Sequence, residues 1–519
     1  MELERIQQIE AATWVNREEV LRLGVAILFI VGIILYINSR GEVSPMLIVA
    51  GMIGGYMALN IGANDVANNV GPAVGSRALT LFGAIAIAAI FEAAGALIAG
   101  GDVVSTIKKG IIDPADIANT EIFIWLMMAA LLAGAIWLNI ATAIGAPVST
   151  THSIVGGVLG AGVAAGGWEV ANWAKMGQIA ASWIISPVIG GLIAAAFLYL
   201  IKRTITYKAD MLLAARRMVP ILVAIMALAF TSYLALKGFK KIWQVDVQVA
   251  LLIGAGVAAV IYIISKPWVE RVSRRHSNDK QGVNSLFTTP LIFAAALLSF
   301  AHGSNDVANS VGPLAAISDA LTSGGISTRA TVPLWVMMVG AIGISLGLAL
   351  YGPKLIRTVG SEITELDKMR AFCIALAAAI TVIIATQLGL PVSSTHIAVG
   401  AIFGVGFLRE YLKWNYANMV EQIHLHHLGR DKTDVEQFLE DFQLADLNGK
   451  SAMLLQLKEH SADIDLSKKE RRGLKRVYRN ELVKRSALLK IIAAWVITVP
   501  VSGLLAAMLF FMIRGMMLP

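Results

Sequence analysis

Charge is scarce in this chain. Lys, Arg, Asp and Glu make up 15% of its 519 residues, where water-soluble domains carry about 25%. Cysteine is nearly absent. The single Cys373 lies inside an apolar run, so there is no disulfide framework. No cleavable leader is expected: Met1 to Arg22 is polar, and the first apolar run, not followed by a small-residue cleavage pattern, is expected to stay as a transmembrane helix. The apolar runs are continuous rather than alternating, which argues against a β-barrel. The formal charge of +8 does not point to nucleic acid, because the basic residues cluster beside apolar segments as membrane flanks do.

What remains is a chain that is 57% hydrophobic, with apolar runs long enough to cross a bilayer at about 20 residues each. The expected spans are 23–38, 46–63, 79–100, 122–143, 177–201, 218–236, 248–265, 286–303, 331–351, 371–390 and 488–513. Two shorter Gly-rich stretches, 150–167 and 394–408, are marginal for a full crossing, as tilted helices or re-entrant arms would be. The fold class is an all-α polytopic membrane protein of about 12 transmembrane segments, expected in the cell membrane with the lipid bilayer as its surroundings.

Two motifs occur twice. Gly62-Ala63-Asn64-Asp65-Val66-Ala67-Asn68 returns as Gly303-Ser304-Asn305-Asp306-Val307-Ala308-Asn309, 241 residues on. Pro147-Val148-Ser149-Thr150-Thr151-His152 returns as Pro391-Val392-Ser393-Ser394-Thr395-His396, 244 residues on. The nearly equal offsets mark an internal duplication. If 150–167 crosses the membrane, the two copies enter from opposite sides, the pattern of inverted-repeat transporters; if it is re-entrant, the parity changes. The expected division is 1–45 as N-terminal helix and flank, 46–217 as first transport repeat and 218–285 as connecting helices and loop. A second repeat at 286–408, a polar insert at 409–487 and a C-terminal helix at 488–519 follow. The Lys- and Arg-rich loops 202–217 and 266–285 read as cytoplasmic, as does the insert with its basic end.

Asp65 and Asp306 stand beside membrane segments, where a charge needs a partner. Their neighbours are Asn64, Asn68, Asn305 and Asn309, which offer neutral oxygens. Carboxylate, amide and backbone oxygens at a broken helix suit sodium or another hard cation. One copy alone fits a helix cap; two copies in corresponding places favour an ion or substrate site. The Ser/Thr elements read as anion sites. A helix opening after Pro offers free N–H groups and the positive dipole end, and Ser149, Thr150, Thr151, Ser393, Ser394 and Thr395 add hydroxyl donors. Like charges about 4 Å apart repel by roughly 4 kcal/mol even at an effective dielectric near 20. With no Lys or Arg in the motifs, an oxyanion must therefore enter with cations or protons, which is symport. Glu92, inside the run Phe91-Glu92-Ala93-Ala94, is a further proton or cation candidate. His152 and His396 fit helix-interior bonds to backbone carbonyls, and His302 is a weaker candidate than either. No catalytic residues are expected. An intramembrane hydrolase built from Ser149, His152 and Asp65 leaves the duplication unexplained, and a passive anion channel leaves the paired carboxylates unexplained.

Four motifs in this order resemble the inorganic phosphate transporter (PiT) family over most of 46–408 and the last span. The resemblance implies an inverted-repeat secondary symporter importing inorganic phosphate with Na+ or H+ around a midplane site. It implies Asp65 and Asp306 as cation ligands and the Ser/Thr elements as the phosphate cradle. Glu92 matches a membrane-embedded Glu that the family uses, whereas the family's second such Glu falls at Ala375 here. Family members also include proton-coupled, metal-phosphate and sulphate carriers. Na+ is the expected coupling ion, H+ the alternative, and a homodimer is an open arrangement.

Overall fold

The computed structural model describes residues 2–41, 43–144, 148–237, 245–323, 332–362, 366–426 and 485–517. Among these the chain forms seventeen α-helices and no strand beyond one isolated bridge. The first repeat runs through α2 (Pro45–Asn64), α3 (Val66–Gly75), α4 (Leu81–Ala99), α5 (Gly101–Lys109), α6 (Thr120–Ala143), α7 (Thr150–Gly166) and α8 (Trp173–Ile201), preceded by α1 (Glu2–Asn38). The connecting part holds α9 (Met211–Lys237), α10 (Val247–Ser273) and the short α11 (Lys280–Leu286). Over the range expected for the second repeat follow α12 (Thr288–Asp306), α13 (Ala308–Ser323), α14 (Leu334–Glu362), α15 (Lys368–Gln387) and the start of α16 (Ser394–His426), and the C-terminal helix is α17 (Arg485–Met517). Eleven stretches among the described residues are long and apolar enough to cross a membrane.

Local chemistry sets the ends. Asn119, Asn172, Asp246, Asp279 and Asp367 each accept a backbone N–H of the turn they open, which satisfies donors the helix itself leaves over. In both Asn-Asp segments the helix breaks at the motif, at Asp65 between α2 and α3 and at Val307 between α12 and α13. Pro72 and Pro313 lie inside the helices that follow: without an N–H, neither completes the ladder bond to the carbonyl four residues earlier, on Asn68 and Asn309.

The short stretch 150–167 is α7, 17 residues long. The backbone of Asp113 donates to Val170 and that of Asn172 to Ile111, both at 2.9 Å. This ties the segment before α6 to the segment after α7, so α7 returns to the end of the bundle where α6 began. The stretch 394–408 is longer than expected. Its helix, α16, continues to His426, residues 427–484 of the polar insert lie outside the described residues, and α17 starts at Arg485. The two basic loops share one end of the molecule, where Leu212 N–H donates to Asn278 Oδ1 (3.0 Å) and Arg216 Nε to Ser273 Oγ (2.7 Å).

The repeats interlock instead of folding side by side. Gly62 of α2 lies against the backbone of α14 at Ile344, and its counterpart Gly303 of α12 against the backbone of α4 at Glu92. A Cβ at either glycine would overlap a neighbouring carbonyl. The closing helices are exchanged in the same way. Gly156 and Gly160 of α7 meet Val499 and Gly503 of α17, whereas Gly400 and Gly404 of α16 meet Pro187 and Gly191 of α8. Small residues four apart let backbones approach in a membrane, where packing rather than hydrophobicity holds helices together.

Candidate transport site

The four motifs meet. Asp65 at the end of α2 accepts from Thr150 Oγ1 (2.6 Å) at the start of α7 and from Thr395 Oγ1 (3.3 Å) at the start of α16. Asp306 accepts from Ser394 Oγ (3.1 Å), the counterpart of the Thr150 contact. The second asparagine of each motif reaches the opposite repeat. Asn68 Nδ2 donates to Thr395 Oγ1 (2.9 Å), and Asn309 Nδ2 donates to Thr150 Oγ1 (3.1 Å) and Thr151 Oγ1 (3.2 Å). Thr151 Oγ1 in turn donates to Val392 O at 2.9 Å. Every one of these residues is buried. With their amides committed, Asn68 Oδ1, Asn309 Oδ1 and Asp306 Oδ1 are buried oxygens with no hydrogen-bond partner. Three orphaned acceptors in one cluster are what a site built for a cation leaves open.

The first asparagine of each motif has a different task. Asn64 Nδ2 donates to Thr142 Oγ1 (3.0 Å) while its Oδ1 accepts from Val148 N–H (3.3 Å). Asn305 repeats this with Thr386 Oγ1 (2.9 Å) and Val392 N–H (3.3 Å), and adds Leu390 O (3.2 Å). Both side chains therefore fasten the loop that opens the next helix. Pro147, expected to stop the preceding helix, lies outside the described residues. Ser149 and Ser393 are likewise engaged, capping α7 and α16 by accepting from His152 N–H (3.1 Å) and His396 N–H (3.2 Å). Thr150, Ser394 and Thr395 are the hydroxyls that donate to the carboxylates, while Thr151 lies beside them and accepts from Asn309.

A second layer is asymmetric. Glu92 of α4 accepts from Asn69 Nδ2 (2.8 Å) and lies 2.6 Å from His302 Nδ1, and His302 Nε2 approaches Asp306 Oδ2 to 2.9 Å. The ligand atoms of Asp65, His302 and Asp306 all lie within 4.8 Å of one another. Ile61 stands in the first repeat where His302 stands in the second, and Ile344 meets Gly62 as Glu92 meets Gly303. Among the described residues the acid–imidazole layer thus occurs once. Sequence reasoning undervalued His302, although its place four residues before Asp306 puts both on one helix face. No signal within the motifs themselves marked Asn69, Thr142 or Thr386. The buried Lys108 is not available to this site, being paired with Asp319 at 2.8 Å.

His152 and His396 depart from expectation. Neither bonds a backbone carbonyl: all four ring nitrogens are buried without a hydrogen-bond partner. Their rings meet at a tilt across the repeat boundary with centroids 4.5 Å apart, flanked by Trp183 edge-on to His152 (3.8 Å) and Trp495 stacked on His396 (3.6 Å). The volume and polarisability of the rings hold the helix starts together there.

Comparison with known proteins agrees with this arrangement. The model of the phosphate transporter family matches residues 61–506. A candidate phosphate permease of Helicobacter pylori strain J99 is 54% identical over 523 residues, covering 98% of both chains. A candidate phosphate permease of Pyrococcus abyssi strain GE5 is 39% identical over 369 residues, covering 71% of this chain and 90% of its own. A solved structure, described as the sodium-dependent phosphate transporter, superimposes with a TM-score of 0.74 at 30% identity, covering 92% of this chain and all of the other. The duplicated motifs, their meeting point between interlocked repeats and these matches lead to one conclusion: the chain belongs to the phosphate transporter family, a family of multi-pass membrane carriers and not of enzymes.

Proposed function

We propose that the protein is a secondary active symporter that imports inorganic phosphate with Na+, by alternating access around the site where the four motifs meet. The observation that carries this reading is the buried cluster of Asp65, Asp306 and the unpartnered oxygens of Asn68, Asn309 and Asp306, set against the N-termini of α7 and α16. The oxygens form a hard-cation environment, and the helix starts with Thr150, Thr151, Ser394 and Thr395 supply donors for an oxyanion. Phosphate brought next to ionised Asp65 and Asp306 is repelled unless cations bind with it, so the cation makes the site habitable for the anion. Transport then follows from a site that fills completely or not at all, since a half-filled site holds uncompensated charge in a low dielectric. The sodium-dependent transporter of similar fold supports Na+ as the coupling ion.

The test is uptake of labelled phosphate into proteoliposomes with a sodium gradient and a pH gradient imposed separately. Sodium-driven accumulation is expected, and uptake driven by neither gradient refutes the reading. A second reading has one observation in its favour. Asp65, His302 and Asp306 form a set of two carboxylates and an imidazole able to hold a divalent cation, so metal phosphate as cargo predicts uptake that rises with Mg2+ or Zn2+ at fixed sodium.

A further inference from the structure

A cavity of about 1200 Å³ lies between α1 and the bundle, bounded by α2, α6 and α14. One wall is α1, apolar from Leu23 to Ile34 with Glu19 and Arg22 at one end. The opposite wall is mixed: among apolar side chains it carries Asn60 and Asn139, then Thr142. Asn139 is exposed although it sits within the apolar span of α6, and its Nδ2 donates to Asn60 Oδ1 at 3.3 Å. Asn60 is 5% exposed and donates to Tyr56 O. An exposed amide at membrane depth is tolerated where water fills the space and is costly against lipid tails. The polar wall also leads somewhere. Thr142 Oγ1 accepts from Asn64, whose Oδ1 holds the loop that opens α7, and Asp65 is the next residue.

The second repeat lacks this path. The counterparts of Asn60 and Asn139 there are Ala301 and Ile383, both buried. Tyr233 of α9 closes the place corresponding to Ala63, donating to Ser304 Oγ at 2.7 Å with its ring packed edge-on to Phe300. One flank of the site is therefore open and polar, and its symmetry mate is sealed by an aromatic side chain.

We propose that this cavity is the water-filled vestibule through which the hydrated inorganic ions, oxyanion and cation, reach the paired site, with Asn139, Asn60 and Thr142 as its polar lining. The proposal rests on the reading of the paired motifs as a transport site. It adds that access in this conformation is from the α1 side.

The experiment uses introduced thiols, and the native background is silent because Cys373 is fully buried. Asn139→Cys and Ala143→Cys both place a thiol on the cavity wall, and Ala143→Cys removes no hydrogen bond. Ile383→Cys in the second repeat is the comparison. Full-length variants in oriented vesicles are treated with a membrane-impermeant cationic methanethiosulfonate, and in parallel with a lipid-confined maleimide. Since the thiolate that reacts forms in water, Asn139→Cys and Ala143→Cys should be modified by the aqueous reagent roughly tenfold or more faster than Ile383→Cys. Modification should come from one face of the vesicle and be slowed by phosphate with sodium. Rates no higher than that of Ile383→Cys, or reaction with the lipid-confined reagent alone, overturn the vestibule and identify a lipid-filled crevice. Labelling is read chemically, so the two readings fail separately. Fast, phosphate-protected labelling in a protein that sodium does not drive would refute the coupling and keep the vestibule. Slow labelling in a sodium-driven carrier would refute the vestibule alone.

Discussion

Replacing Asp306 by Asn tests the charge logic of the site with little change of shape. Asp306 Oδ2 accepts from Ser394 while Oδ1 is unpartnered, so an amide oxygen can keep the serine contact. The carboxylate atoms of Asp65 and Asp306 lie within 4.8 Å of each other. Their mutual repulsion at that distance is about 3.5 kcal/mol at an effective dielectric near 20. A cation about 2.4 Å from one oxygen of each gains roughly 7 kcal/mol per carboxylate on the same scale. Asp306→Asn removes one attraction, while the repulsion between the carboxylates exists with and without the cation and drops out of the difference, so cation binding loses at most about 7 kcal/mol. The amide dipole restores roughly half or more of it, leaving about 2–3.5 kcal/mol. Half-saturating sodium for phosphate uptake should therefore rise by roughly 30- to 300-fold. The assay is initial uptake across a sodium series in proteoliposomes, with thermal melting of the purified variant as a check on folding. Unchanged half-saturating sodium in a folded Asp306→Asn protein would refute the reasoning, and with it the role given to the paired carboxylates.

Three further outcomes follow from other parts of the molecule. Glu92→Gln removes the acid that His302 Nδ1 meets at 2.6 Å, a buried hydrogen bond whose disruption costs about 1–3 kcal/mol; uptake should fall roughly tenfold or more while the amount of folded protein reconstituted into vesicles is unchanged. Gly156→Val puts a side chain into the backbone of α17 at Val499, so the melting temperature in detergent should drop by several degrees. Gly256→Val, at a position with open space around it, should leave it unchanged. Outside the membrane, the backbone N–H of Gly282 and then the Ser277 hydroxyl hold the Asp279 carboxyl below its usual value. A carboxyl depressed in the folded state stabilises above its unfolded pKa and loses that contribution as the pH falls through the folded value. The melting difference between Asp279→Ala and the parent should thus be full at neutral pH and vanish as the pH drops below the ordinary carboxylate range.

Much of this site was legible in the sequence because duplication repeats its chemistry. Asn-Asp and Ser/Thr elements at nearly equal offsets announced a paired site, and apolar runs announced the spans, because both signals are local in the chain. Contacts made by distant helices left no such trace. Asn64 and Asn68 look alike within the motif. Only the third dimension shows that Asn64 fastens the loop before α7 whereas Asn68 crosses to Thr395 and keeps an unpartnered oxygen. His302 gained its role from Glu92, 210 residues away. His152 and His396 lack the carbonyl partners expected of them because the repeats bring their rings against each other at a tilt, between Trp183 and Trp495. The extension of α16 to His426 passed unseen because polarity was read as the end of a helix, and polarity ends only the membrane-facing part.

The exchange of closing helices has a consequence for how the protein is made. The glycine face of α7 at Gly156 and Gly160 is covered by α17, which is encoded more than three hundred residues later. At synthesis rates of about 5–20 residues per second, that face waits on the order of tens of seconds for its partner. During that interval lipid or an insertion factor must occupy a groove shaped for another helix. The first repeat is therefore an unfinished object when it leaves the ribosome, and the last helix is the closure of a half that was begun long before it. A stop codon placed ahead of Arg485 would leave α7 in that waiting state permanently, with the N-terminal half of the site held by one helix too few.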